Sequence, residues 1–132
     1  NYSYLCKKNM KIKSVEEALR IFEENVRKQA ETLETGEYRK GNRCFTKYMR
    51  SIAYLYEHQA LQRLTPLLSS ENVGIRCVAA YALLPITEKV SRQVLKEIEM
   101  GNYGFISINA KYTLIQWDEG KIIFPYQEGF HW

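Results

Sequence analysis

The chain of 132 residues has few of the side chains that most enzymes use at their reaction centres. It contains one aspartate, Asp118, and two histidines, His58 and His131, so a catalytic triad would depend on these three residues. Asp118 and His58 each lie where a predicted helix ends, which favours a role in ending the helix for both. Adjacent glutamates such as Glu16 and Glu17 point about 100° apart on a helix and cannot act as a facing acid–base pair. We predict that the protein is not an enzyme.

The patterns that hold metals and nucleotides are also scarce. Three scattered cysteines, Cys6, Cys44 and Cys77, do not form a ligand set. No glycine-rich sequence with a following Gly-Lys-Ser/Thr is present to surround a phosphate. The sequence therefore predicts neither a metal site nor a cofactor, and no small-molecule substrate is expected.

Long apolar runs are missing as well. A membrane span needs about 18–20 consecutive apolar residues, and the runs here are only a few residues long. An odd number of cysteines fits reduced thiols better than a disulfide framework, and Cys44 and Cys77 fall in apolar stretches typical of a core. These features predict a soluble, cytoplasmic protein with no membrane contact.

Positive charge is concentrated in the first half of the chain. The net charge is +4, and residues 59–132 contribute none of it, since their basic and acidic residues balance. Residues 1–13 contain four lysines and no acidic residue. We interpret residues 1–13 as a basic leader that need not belong to the fold, and residues 14–132 as a single domain.

Two long helices are predicted to form a hairpin over residues 14–58. Ser14 followed by Glu17 is a capping box, and apolar residues at steps of three and four continue to a stop at Gly36. This pattern predicts a helix over Ser14–Thr35. After a turn over Gly36–Gly41, a second helix is expected from about Asn42 to His58.

The following residues, 60–117, repeat with a period of 31 residues. The matched residues share size or chemistry and predict two helix pairs that must stack on a neighbour, because neither pair can bury its apolar face alone. They are Leu64 with Leu95, Leu67 with Ile98, Ile75 with Ile106, Ala79 with Ala110, Tyr81 with Tyr112, and Leu83 with Leu114. Together with the hairpin, this gives an all-α stack of about six helices in antiparallel pairs.

Aromatic residues crowd the last segment, residues 118–132. Proline and glycine interrupt them, so the segment is too apolar for disorder and too broken for a helix. We expect an irregular docked tail that covers the last helix pair. A tail that binds a partner protein is the alternative.

Three short segments carry a family resemblance. They are Phe22 to Gln29, then Leu67-Leu68 before the run Asn72 to Ala80, and finally Trp117 to Gly120. On these residues the run from Val15 to Gly120 resembles the family called domain of unknown function 2019, small bacterial helical proteins of the HEAT type. The resemblance implies a HEAT-like stack and no assigned activity, so it supplies no catalytic residue. The second repeat departs from the pattern, with Ser107 where the first has Arg76.

One group of residues suggests a binding surface. Arg43, Lys47 and Arg50 share a face of the second helix at steps of four and three, with Arg39 and Lys40 just before them and aromatic residues between. Such a stripe could follow nucleic-acid phosphates or contact a protein, or it could be an ordinary solvated helix face. Arg76 would mark a second contact on the concave face of the stack.

The sequence thus predicts a non-catalytic protein-binding repeat protein. The most specific hypothesis, by analogy of size and fold, is a bacterial immunity protein that neutralises a cognate toxin by covering its active site or its target-binding surface. Because the chain carries +4, the partner surface should be neutral or acidic. A phosphate-backbone binder acting through the stripe is the alternative.

Overall fold

The computed structural model describes residues 11–132, which form five α-helices, one 3-10 helix and no strand. The α-helices are α1 (Val15–Thr35), α2 (Tyr38–Glu57), α3 (Val73–Leu83), α4 (Glu88–Met100) and α5 (Phe105–Asp118). The 3-10 helix, Leu61–Ser69, lies between α2 and α3. The all-α prediction is confirmed. Most of the leader predicted over residues 1–13 lies outside the described residues.

The start of α1 follows from local side-chain chemistry. The Ser14 hydroxyl accepts a hydrogen bond from the Glu17 backbone N–H at 3.0 Å. The Glu17 carboxylate accepts from the backbone N–H of Lys13, at 3.0 Å, and not from Ser14 as a reciprocal capping box would require. Gly36 ends the helix in the left-handed conformation, with φ 77°. The predicted helix over Ser14–Thr35 is confirmed.

The predicted turn over Gly36–Gly41 is wrong, because α2 begins at Tyr38. Gly36 and Glu37 alone reverse the chain, and Gly41 lies inside the helix. A Cβ on Gly41 would come within 2.5 Å of the Thr32 side-chain oxygen on α1. Gly41 therefore allows α1 and α2 to approach closely, which is a tertiary requirement and not a turn.

Residues 60–84 also differ from the predicted pair of α-helices. The first element is a 3-10 helix that contains Pro66, a residue that cannot donate the backbone hydrogen bond of an α-helix interior. The Asn72 side chain then caps α3 by accepting from the Ile75 backbone N–H at 3.0 Å.

The described chain divides into two compact units. Unit 1 contains α1, α2 and the tail from Ile123 to Trp132, whereas unit 2 spans Gln62–Ile122. In unit 1, α1 packs along α2, and Phe22, Ile52 and Leu55 are fully buried. In unit 2, α4 packs against α3 and α5, around a core that includes Leu83 and Leu95.

The tail docks, but in a different place from the one expected. Its rings contact α2, where Phe130 stacks on Phe45 with centroids 6.5 Å apart and Tyr126 stacks on Tyr56 at 3.7 Å. The sequence predicted a cover over the last helix pair. Pattern alone could not choose between these helices, because both offer apolar positions.

Candidate functional site

Helix α2 carries the basic residues that the sequence singled out. Arg39, Lys40, Arg43 and Lys47 are exposed, and we call these four residues the basic face. Arg39, Arg43 and Lys47 follow each other at steps of four residues, which places them along one side of the helix. One acidic residue, Glu57, lies at the far end of α2.

The basic face has no carboxylate partners in the part of the chain that the structure describes. No Asp or Glu oxygen lies within ion-pair distance of its four side chains. Helix α1, with six glutamates and three basic residues, behaves differently. There Lys28 binds Glu24 at 2.9 Å, and Arg20 lies 3.7–3.8 Å from Glu17 and Glu24.

The two helices of unit 1 therefore carry opposite charge, −3 on α1 and +4 on α2. The hydrogen bond and charge of Lys28 lower the pKa of Glu24, and Lys47 of α2 adds a smaller contribution. At Glu24, this basic residue of α2 therefore adds less than the partner on α1 itself. The charge of the basic face is largely available to a partner.

The start of α2 is poorly adapted to helix stability. Arg39 and Lys40 lie in its first turn, where the helix dipole disfavours cations by about 0.3–1 kcal/mol each. The residue before the helix, Glu37, makes no side-chain capping hydrogen bond. Residues that oppose a local stability rule without compensation are typical of binding surfaces.

Arg50 does not belong to the open surface that the sequence predicted. It is half-buried, and its guanidinium carbon lies 5.9 Å from the centroid of the Trp132 ring. Its Nε is buried and has no hydrogen-bond partner among the described residues. The tail therefore covers Arg50, and the predicted stripe ends at Lys47.

The tail aromatics pack on each other and on α2. Phe130 contacts the Trp132 ring edge-on at 4.8 Å, in addition to stacking on Phe45. Burial raises the pKa of Tyr126 to about 12, with a further contribution from Tyr56. These rings are partners in a cluster and not the open platforms on which nucleic-acid bases stack.

Arg76 lies in unit 2, in a groove of about 530 Å³. The groove is formed by the end of the 3-10 helix, α3, α4 and the α4–α5 loop, and its lining includes Leu68, Ser69, Val94, Glu97 and Tyr103. Arg76 Nη1 donates to the Ser70 carbonyl at 2.7 Å, and the guanidinium lies 5.9 Å from the Tyr103 centroid. Arg76 thus holds the turn before its own helix, a structural task that the sequence analysis did not assign to it.

Neither buried thiol is suited to nucleophilic chemistry. Cys44 and Cys77 are both buried, and burial raises the pKa of the Cys77 thiol to about 12, so the reactive thiolate is scarce near neutral pH. Within residues 11–132 no group of three or more His, Cys, Asp or Glu side chains could hold a metal ion.

An apolar surface on α5 was not predicted from the sequence. Phe105, Ile108, Tyr112 and Ile115 are 62%, 48%, 59% and 39% exposed, and we call these four residues the α5 face. Their spacing of three, four and three residues was a signal in the sequence, because it places them on one side of the helix. The matched positions of the repeat on this helix include Ala110 and Leu114, which lie in the core, and only Tyr112 from the α5 face.

Comparisons with protein-family models, with curated proteins and with solved structures found no match. The resemblance to domain of unknown function 2019 therefore stays a prediction. Among residues 11–132, the helices are too short or too polar for any of them to cross a bilayer.

Proposed function

We propose that the protein is a non-catalytic binding protein whose basic face docks an acidic surface of a partner protein. The observation that carries this proposal is the contrast within unit 1. Arg39, Lys40, Arg43 and Lys47 are exposed and have no carboxylate partner among the described residues. On α1, by contrast, Arg20 and Lys28 lie within ion-pair distance of glutamates of the same helix.

A protein partner is favoured over nucleic acid by the small number of available cations. Four basic side chains on a short stretch of helix suit a compact acidic patch, whereas a duplex binder that makes about 6–10 phosphate contacts needs more cations than the basic face provides. The tail rings add no stacking surface, because they contact each other and α2. Nucleic-acid binding through the same residues is the alternative outcome of the test below.

In its most specific form, the proposal is a bacterial immunity protein that binds a toxin domain and covers its active site or target-binding surface. The support is the all-helical fold and the availability of one charged surface, a combination that suits blocking better than chemistry. A toxin gene immediately upstream of the coding sequence would support this form. An unrelated neighbourhood in every genome that encodes the protein would count against it.

The experiment compares affinity capture by the wild-type protein with capture by the double variant Arg43→Glu, Lys47→Glu. The control is Arg27→Glu with Lys89→Glu, two exposed basic residues on α1 and α4, which changes the net charge equally. We expect the wild type and the control to recover the same stoichiometric protein from the native host, and the test variant to lose it. Binding to the purified partner should weaken as salt rises, since exposed charges are screened beyond about 10 Å at 0.1 M salt.

Duplex DNA of generic sequence serves as the competing ligand. Tight binding at physiological salt, abolished by the test variant, would replace the protein partner with nucleic acid. Equal loss of the captured protein in test and control variants would show that net charge, and not the basic face, is responsible. Either result would overturn the proposal.

A further inference from the structure

The α5 face is exposed although the same positions are covered in the preceding repeat. A shift of 31 residues matches Phe105, Ile108, Tyr112 and Ile115 with four residues of the first repeat. They are Gly74, Cys77, Tyr81 and Leu84, of which three are buried and Tyr81 is half-buried. In the first repeat, the side of α3 that corresponds to the α5 face is therefore covered by the rest of the chain.

The spacing of the α5 face is that of a helix–helix seam. Steps of three, four and three residues place its members at alternating core positions of two heptads, over about 15 Å of helix. The opposite side of α5, with Ala110 and Leu114, is buried in unit 2. The helix thus has one apolar side inside the fold and a second apolar side toward solvent.

We propose that the α5 face binds the α5 face of a second copy of this chain, with the two helices antiparallel. The order of side chains argues for this occupant, because the spacing of the face is symmetric and its rings alternate with isoleucines. In an antiparallel pair, Phe105 lies opposite Ile115 of the other copy, and Ile108 lies opposite Tyr112. Each large ring therefore meets an isoleucine in all four layers, and no ring faces a ring. A two-fold interface requires this self-complementarity, and an unrelated partner does not.

The polar residues beside the α5 face would also affect the stability of the dimer, one favourably and one unfavourably. Asn109 and Lys111 are exposed on the two sides of the seam close to its centre. Each therefore lies near the same residue of the other copy, close to the two-fold axis. The Asn109 amides can exchange hydrogen bonds, whereas the Lys111 ammonium groups repel each other. Salt should screen this repulsion and strengthen the dimer, whereas it should weaken docking of an acidic partner on the basic face.

The interface would be small. Two short helices in contact bury less than the about 1,200 Å² of the smallest typical specific complexes, so we expect weak association. Analytical ultracentrifugation of the full chain over about a hundredfold range of concentration should show a reversible monomer–dimer equilibrium.

Two substitutions at isoleucines of closely matched exposure test whether the dimer interface lies on the α5 face. Ile108→Glu places a charge in the seam and should abolish the dimer, whereas Ile86→Glu alters an equally exposed isoleucine outside α5 and should leave it intact. Lys111→Gln should strengthen the dimer by about two- to fivefold. Circular dichroism and thermal melts confirm that each variant is folded.

The register is tested by oxidative cross-linking in a Cys6→Ser background, in which the two other cysteines are buried. A mixture of Ile108→Cys and Tyr112→Cys proteins should form a mixed disulfide, since these positions face each other. A mixture of Ile108→Cys and Ile115→Cys proteins, displaced by about one turn, should react far less.

Several outcomes would overturn the dimer. They are a monomer at every concentration, equal loss of association in Ile108→Glu and Ile86→Glu, and faster cross-linking of the displaced pair. A monomer whose α5 amides gain exchange protection only with a different bound protein would assign the face to that protein instead. None of these results bears on the basic face, so the two proposals fail independently.

Discussion

The two units stabilise themselves in different ways. Unit 1 uses two long helices with large buried side chains such as Phe22 and Ile52, and its charges are separated, acidic on α1 and basic on α2. Unit 2 uses shorter helices, whose core combines leucines such as Leu83 with small residues such as Ala79 and Ala80, and it pairs charges between helices. There Arg92 of α4 binds Asp118 of α5, and Trp117 donates to Glu88 at 2.8 Å.

This difference separates two kinds of binding surface. In unit 1, Arg39, Arg43 and Lys47 lie on the exposed side of α2 and have no carboxylate partner among the described residues. In unit 2, Arg92 and Asp118 pair across the α4–α5 contact. The rest of α5 presents the apolar α5 face, flanked by the exposed Asn109 and Lys111. A charged surface on one unit and an apolar one on the other favour partners of different chemistry.

The largest expected effect is a loss of large-side-chain packing in unit 1. Phe22 is fully buried and contacts the Tyr48 ring edge-on at 6.3 Å. Phe22→Ala should lower the free energy of unfolding by about 3–5 kcal/mol, because it removes buried apolar surface and leaves a cavity. Urea unfolding measures the change, and a loss below about 1 kcal/mol would refute the role of Phe22 in this core.

The corresponding test in unit 2 uses the matched leucines of the repeat. Leu83 is fully buried and Leu114 nearly so, and substitution of each by alanine should cost about 2–5 kcal/mol. Leu114→Ala should lie at the lower end, since it retains some solvent contact. Ile86→Ala, at an exposed position, serves as the control. If neither leucine costs more than about 0.5 kcal/mol, the matched positions are not equivalent core positions.

Close helix approach in unit 1 can be tested at Gly41. Gly41→Ala would bring a Cβ within 2.5 Å of Thr32 Oγ1 and should destabilise the protein by about 1–3 kcal/mol, although alanine is the better helix former. Thr32→Ala removes the clashing atom, so the double variant should recover most of the loss. If the effects of the two substitutions on thermal stability simply add, the contact does not limit the approach.

Charge reversal at the start of α2 should raise the stability of the protein and weaken its binding to the partner. Arg39→Glu and Lys40→Glu place acidic groups in the first turn, where each should raise the free energy of unfolding by about 0.3–1 kcal/mol. The same variants should weaken the partner complex. Substitutions that lowered both stability and binding would indicate that these residues support the fold.

The smallest effect is expected at high pH. The Tyr126 pKa is raised to about 12 in the folded protein, whereas an unfolded tyrosine ionises near pH 10. Tyr126 therefore keeps its hydroxyl proton to a higher pH in the folded protein than in the unfolded chain. The contribution of the neutral Tyr126 side chain to stability is complete below about pH 10 and is lost as the pH rises toward 12.

Tyr126→Phe should therefore make the thermal midpoint less sensitive to pH between about 10 and 12. Tyr38→Phe, at a largely exposed position, is the matched control for the loss of a tyrosine hydroxyl. An identical pH profile for Tyr126→Phe and the wild type would show that Tyr126 is not ionised more readily on unfolding.

The sequence by itself determined the features that depend on local chemistry. Ser14 and Gly36 mark the ends of α1 because a hydroxyl satisfies a free backbone N–H and glycine tolerates a positive φ. The periodic apolar residues determined the all-α class, and the burial of Cys44 and Cys77 followed from their apolar neighbours.

Other features depend on residues that are distant in sequence, and the tertiary structure alone decided them. A side chain at Gly41 is excluded because Thr32 of α1 occupies the space beside it, and Arg50 is covered because Trp132, 82 positions later in the chain, returns to α2. The α5 face was visible as a periodic pattern, but the pattern could not show which of two apolar sides lies inside. Burial is a property of the packed chain, since each helix is covered by whichever partner the whole fold brings to it.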